Sequence, residues 1–185
     1  LMIKLSIFDA LRHRNFRLYW LGFVTSVSGM QMFLVIQAWL VYDLTGSALQ
    51  LGLVALARAI PAMVLGLVGG VVADKVDQRR LLVKTTAGVA TIYLVLGILT
   101  LTGVVQVWHI LASVFLIGGL EAFDQPSRQA IFPNLIDRKD MMSAVALNST
   151  IHPGTRIFAP LAAGLLIDHF GIPREGAAVA IFIVA

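Results

Sequence analysis

The chain has 185 residues, 58% of them hydrophobic and only 13% charged, with a formal net charge of +4 and no cysteine. A water-soluble globule with so few polar side chains could not cover its own surface, so lipid must do the covering and a soluble fold is excluded. The absence of cysteine excludes a disulfide framework and thiolate metal chemistry.

Apolar runs of about 20 residues, each long enough to cross roughly 30 Å of hydrocarbon, recur between short polar breaks. The pattern predicts an all-α membrane protein with spans over 16–42, 48–73, 81–102, 108–132 and 141–167, and the start of a sixth over 177–185. That last run, about nine residues, is too short to cross a bilayer. The sequence therefore reads as a truncated piece: 16–185 forms a six-helix transmembrane half with an incomplete sixth helix, and a C-terminal half is missing.

Residues 1–15 read as a cytoplasmic segment. From Ser6 to Phe16 apolar and basic faces alternate at helical spacing, which suits a short helix lying in the membrane interface. A cleavable signal peptide is excluded, because the apolar run that follows is too long and lacks a small-residue cleavage site.

Span 1 carries Thr25, Ser26, Ser28, Gln31 and Gln37, span 2 carries Arg58, span 4 carries Glu121 and Asp124, and span 5 carries Asn148, His152 and Arg156 at successive i, i+4 steps. Span 3 holds little beyond threonines, so spans 1, 2, 4 and 5 are expected in the interior and span 3 at the periphery. A charge at mid-helix costs roughly 2.5 to 3.5 kcal/mol, so the four ionised side chains must face the bundle interior. Arg58 and Arg156 are candidate partners for Glu121 and Asp124, which share one face at i, i+3. Asp124 has a second option, Arg128 one turn along. Pairing for burial alone and a role in substrate or proton coupling both fit. Histidine is the side chain that ordinarily changes charge near neutral pH, so His152 is a candidate proton carrier beside the two acids, or a satisfied structural histidine.

Eleven Lys and Arg residues flank the N-terminus and the even-numbered breaks, Arg128 among them, whereas only Arg174 lies in the odd-numbered ones. By the positive-inside rule the N-terminus and the even breaks are cytoplasmic. The basic balance thus reports topology, and its dispersal around helix ends excludes a nucleic-acid partner. Trp39, Tyr42 and Trp108 form one aromatic belt, and Tyr19 and Trp20 the other.

Between spans 2 and 3 the chain reads Gly70-Val-Val-Ala-Asp74-Lys75-Val-Asp77-Gln78-Arg79-Arg80. A glycine, an aspartate four residues on, a basic residue and a closing basic cluster resemble the signature turn between helices 2 and 3 of the major facilitator superfamily. Asp77 replaces a usual glycine there and Gln78 a common basic residue. Asp77 has a local rationale as N-cap of helix 3. At the end of helix 2 a carboxylate is unfavourable against the macrodipole, so Asp74 needs compensation, from Lys75 and Arg79 or from another helix N-terminus. The resemblance implies that Asp74 latches the two halves together on the cytoplasmic side. Gly66, Gly69 and Gly70 permit close approach by a neighbouring helix.

In span 5 the run Pro153-Gly154-Thr-Arg156-Ile-Phe-Ala159-Pro160-Leu-Ala-Ala163-Gly164 resembles the small-residue packing motif of drug exporters, with Gly154, Pro160 and Gly164 matching it and Ala159 and Ala163 standing for two of its glycines. The prolines allow a kink. Gln125-Pro126-Ser127-Arg128-Gln129-Ala130, Pro133 to Asp137 and Ala146 to Ser149 are similar to the branch containing enterobactin-exporter-like and macrolide-efflux-like proteins. The arginine that many drug/proton antiporters carry in the middle of helix 4 is absent.

The resemblance implies the N-terminal half of a twelve-helix fold built from 3+3 inverted repeats, and a secondary active antiporter that exports a small amphipathic organic molecule, drug or siderophore-like, by alternating access. Its partners are the lipid bilayer, the small-molecule substrate, protons as coupling ion and the missing C-terminal half, and its place is the plasma (inner) membrane. No cofactor or metal is implied. An enzyme is excluded, since there is no nucleotide loop, metal-ligand cluster or nucleophile motif. An importer of the same superfamily, or a non-transporting membrane assembly protein, is the alternative.

Overall fold

A computed structural model describes residues 9–138 and 140–169, with the side chains of 9, 67, 71, 73, 74 and 166–169 outside the description. The described residues form α1 (Arg14–Thr45), α2 (Ala48–Lys75), α3 (Gln78–Leu101), α4 (Val107–Ile131) and α5 (Met141–His169), with 3-10 turns at Asp9–Arg12 and Phe132–Leu135 and no strand. The sixth apolar run, over 177–185, lies outside them.

The helices start and stop where local chemistry requires. Gly46 adopts φ 61°, in the left-handed region, and its N–H closes α1 on the Tyr42 carbonyl. Asp77 Oδ1 accepts from the Arg79 and Arg80 backbone N–H groups at 3.0 and 3.2 Å and opens α3. Gln106 and His109 cap α4 reciprocally. Four of the five helices are long and apolar enough to cross a membrane. The 29 residues of α5 reach roughly 43 Å, also enough in length, but the helix carries a polar stripe and two prolines.

Packing divides the helices into two groups. One contains α2 and α3 on either side of α4; the other pairs α1 with α5. Exchanging α1 with α4 and α2 with α5 maps the α1–α5 pair onto the α4–α2 pair, as two inverted repeats would require. At one end of the bundle Phe33, Ile36, Leu40, Leu96, Ile110 and Ile117 are fully buried. Outward-facing Leu49, Met63, Ile157 and Phe158 are each more than two-thirds exposed. In water such faces would be a liability; in lipid they are the solvated surface.

Two helix contacts depend on glycine. A Cβ on Gly118 of α4 would collide with the Arg58 carbonyl of α2, and one on Gly69 of α2 would collide with the Ala122 carbonyl of α4. Gly66 and Gly70 have open space around them, so of the three glycines near the end of α2 it is Gly69 that permits the approach, and the approaching helix is α4.

Three expectations change. Over its described part, residues 9–15, the lead-in is not one continuous helix: a 3-10 turn at Asp9–Arg12 precedes α1, which already begins at Arg14. That turn docks on the α4–α5 connection, where Ala10 is buried and donates its N–H to Ser143 Oγ at 3.3 Å, and His13 Nε2 lies 2.8 Å from Asp140 Oδ2. Burial of Ala10, Phe16, Ile136, Ala144 and Leu147 in one cluster outweighs an interfacial position. Second, α3 is no mere outer support, because it buries Tyr93 against Phe33, ring centroids 4.4 Å apart, and brings Thr85 to α4. Third, within the 153–164 run of α5 the buried small residues are Thr155, Ala159 and Ala163, whereas a Cβ on Gly154 or Gly164 would meet nothing within 4 Å among the described residues and Pro160 is half-buried. Among the described residues it is the alanines that pack.

Candidate functional site

A cavity of about 760 Å³ opens between the two helix groups. From α1 it takes Phe23, Thr25 and Ser26, from α3 Thr86 and Tyr93, from α4 Glu121, Asp124, Gln125 and Arg128, and from α5 His152. An apolar wall with a few converging polar groups is the usual character of a small-molecule site.

Two ion pairs lie in or against this wall. Arg58 of α2 grips Glu121 of α4 through Nε–Oε2 at 3.0 Å and Nη2–Oε1 at 2.5 Å. This fork geometry gives two charge-assisted hydrogen bonds, which is what two charges need when taken out of water. Arg128 donates through Nε to Asp124 Oδ2 at 2.6 Å, one turn back on the same helix. Thr85 Oγ1 of α3 donates to the other carboxylate oxygen at 3.2 Å. Arg128 also reaches over to α1, with its guanidinium carbon 4.7 Å from the Phe23 ring centre and Nη2 3.4 Å from Ser26 Oγ.

The polar stripe of α5 splits. His152 faces the cavity and meets Phe23 edge-on at 5.9 Å. Asn148 is half-buried, with Oδ1 unpartnered among the described residues. Arg156 is exposed and pairs with neither Glu121 nor Asp124. The pairing expected for Arg156 is thus corrected: Arg58 and Arg128 already occupy both carboxylates.

In the α2–α3 turn Lys75, Asp77, Arg79 and Arg80 are all exposed. Arg80 Nε is 3.3 Å from Asp77 Oδ2, a solvent-screened pair worth little. The Asp74 side chain lies outside the described residues. Gly70 lies in α2 with open space beside it.

Sequence reasoning placed Arg128 among the topology charges, yet its side chain is only 11% exposed and central to the site. Its i, i+4 spacing had already made it the second candidate partner of Asp124, and this is the pair that forms. Phe23, Thr85 and Tyr93 had none, since an aromatic or threonine on an apolar helix reads as ordinary packing.

Residues 5–184 match the protein family described as transmembrane secretion effector. The staphyloferrin A transporter of Staphylococcus aureus (strain NCTC 8325 / PS 47) is 32% identical over 144 residues, 77% of this chain and 36% of that protein. Macrolide efflux protein A of Streptococcus pyogenes is 25% identical over 122 residues, 66% of this chain and 30% of that protein. An uncharacterized MFS-type transporter, YfiS of Bacillus subtilis, is 25% identical over 131 residues, 71% and 30% respectively. The chain spans about a third of the length of these relatives. No solved structure matches it.

Proposed function

This chain belongs to the transmembrane secretion effector family of major facilitator transporters, and from that premise we propose that it forms the first half of a proton-coupled exporter of a small amphipathic organic molecule. The single observation that carries the reading is Asp124: a carboxylate on the wall of a 760 Å³ cavity, held by Arg128, which also contacts the opposite wall. The two acids of α4 divide the work. Glu121 is locked between helices by two bonds to Arg58 and serves burial. Asp124 is held within its own helix and by one threonine, so it can take a proton without separating α2 from α4. Export of a drug or siderophore-like molecule is favoured because the relatives include a macrolide efflux protein and a staphyloferrin A transporter.

The test is efflux of a fluorescent amphipathic dye from cells expressing the complete gene product. Asp124→Asn is expected to keep expression near normal and to abolish the dependence of efflux on a pH gradient, since an amide cannot take up the proton. Full pH-dependent efflux in that variant would end the coupling reading.

We place the N-terminus and the α2–α3 turn in the cytoplasm, on the eleven-to-one basic asymmetry. Cysteines introduced at Val76 and at Ala48, both exposed, should react with an impermeant thiol reagent from opposite sides of the membrane. Reaction from one side only would overturn the topology. For Asp74 the expected result is unaltered insertion but slower transport in Asp74→Asn, since a latch charge is lost and no span is changed.

A further inference from the structure

Pro126 stands inside α4, between Asp124 and Arg128. Proline has no N–H, so the Ala122 carbonyl lacks its i+4 helical partner, and it is this carbonyl that faces Gly69 of α2. The helix is mechanically weakest at that step.

The contacts of α4 change character there. In the turns just before Pro126 it is held to its own group: Gly118 and Ala122 abut α2, Glu121 holds Arg58, and Asp124 receives Thr85 of α3, while contact with α1 on this side of the proline lies at the far end of the bundle, where Ile110, Val114 and Ile117 meet Phe33, Ile36 and Leu40. After Pro126 the chain is attached to α1. Arg128 lies over Phe23 and reaches Ser26, and Phe132, in the 3-10 turn that follows, packs edge-on against Phe16 and Tyr19 at 6.1 and 6.4 Å. The Asp124–Arg128 pair is the side-chain bond that spans the missing backbone bond, with Ser127 Oγ on the Phe123 carbonyl as a neutral second.

We propose that Pro126 is a hinge within α4 and that the Asp124–Arg128 ion pair is the strut that locks it, released when Asp124 is protonated. A hydronium ion from the bathing solution gives its proton to a carboxylate oxygen of Asp124: its O–H bond breaks and leaves water, an O–H bond forms on the carboxyl, and Arg128 keeps its own proton and loses its counter-charge. The terminal turn is then free to move with α1 and α5 relative to α2 and α3. The proposal rests on the coupling reading of Asp124 and adds the motion that coupling would drive. The charged and titratable groups around Asp124 are Arg128 and Glu121 on its own helix, Arg58 through Glu121 on α2, Tyr93 on α3, Tyr19 on α1 and His152 on α5.

Spin labels at Asn134 and at Val83, both exposed and on opposite sides of the hinge, report its angle as a distance distribution in lipid nanodiscs of the complete gene product. Acidification should shift the wild-type protein from one distance to another. Asp124→Asn should show the acid distribution at neutral pH, with the ratio of the two populations changed by about tenfold or more, as loss of a charge-assisted bond implies. Pro126→Ala restores a backbone hydrogen bond, favours folding, and should hold the neutral distribution at every pH. A wild-type distribution indifferent to pH, a pH shift that persists in Pro126→Ala, or an Asp124→Asn protein that still shifts with pH, each overturns the hinge; the last would assign the response to His152. Efflux separates the two ideas. Coupling lost in Asp124→Asn without any distance change defeats the hinge alone, whereas coupling retained in Asp124→Asn defeats the coupling reading as well.

Discussion

Replacing Glu121 by Leu is expected to destabilise the protein by about 3 kcal/mol, the low end for stripping one partner from a buried ion pair. The low end applies because Arg58 and Glu121 retain 14% and 27% side-chain exposure. The cost arises because Arg58 loses both of its acceptors while still enclosed between α2 and α4. Removing the charge as well, in Arg58→Met with Glu121→Leu, should recover most of the loss, since two well-packed apolar side chains cost nothing to desolvate. Thermal unfolding of the two single variants and the double gives the cycle. Simple addition of the single losses would show that the pair has no energetic coupling, and the structural role assigned to Glu121 would fall with it.

Gly118→Ala is expected to cost about 2 to 3 kcal/mol, although alanine is the better helix former. The new Cβ would collide with a backbone carbonyl, that of Arg58, which cannot rotate aside, so α2 and α4 must separate and the neighbouring Arg58–Glu121 bonds lengthen. Gly119→Ala is the control one residue away. There the Cβ would meet only the end of the Leu65 side chain at 3.4 Å, and the change should be neutral or stabilise by up to about 1 kcal/mol. Equal unfolding temperatures for the two variants would contradict the close contact.

Much of the fold was legible because lipid imposes a length on every span, and turn chemistry at Gly46 and Asp77 marks the ends. What escaped the sequence was the identity of partners across helices. Charges expected inside the bundle required pairing, but composition does not say which arginine meets which acid: Asp124 had both Arg156 and Arg128 as candidates, and Arg128, three positions from a helix end, also counted as a topology signal. Its distinguishing contacts, with Phe23 and Ser26 on α1, join residues about a hundred positions apart. The inward face of α3 was hidden for a similar reason. A lone tyrosine and a threonine look identical whether they face lipid or an aspartate. For Ala10 and His13 amphipathic spacing suits an interface and a docking groove equally well, and the position of Ser143 and Asp140 decides for the groove.

The central claim is that this half carries the proton-coupling carboxylate of an exporter. It is tested most directly in proteoliposomes holding the complete gene product and a trapped pH indicator, with an outward gradient of an amphipathic dye as the only driving force. Dye leaving the vesicles should bring protons in, and the internal acidification should vanish in Asp124→Asn while remaining in Arg156→Gln. Acidification of the same size in Asp124→Asn, or dye movement without any proton flux in the wild-type protein, would contradict the account.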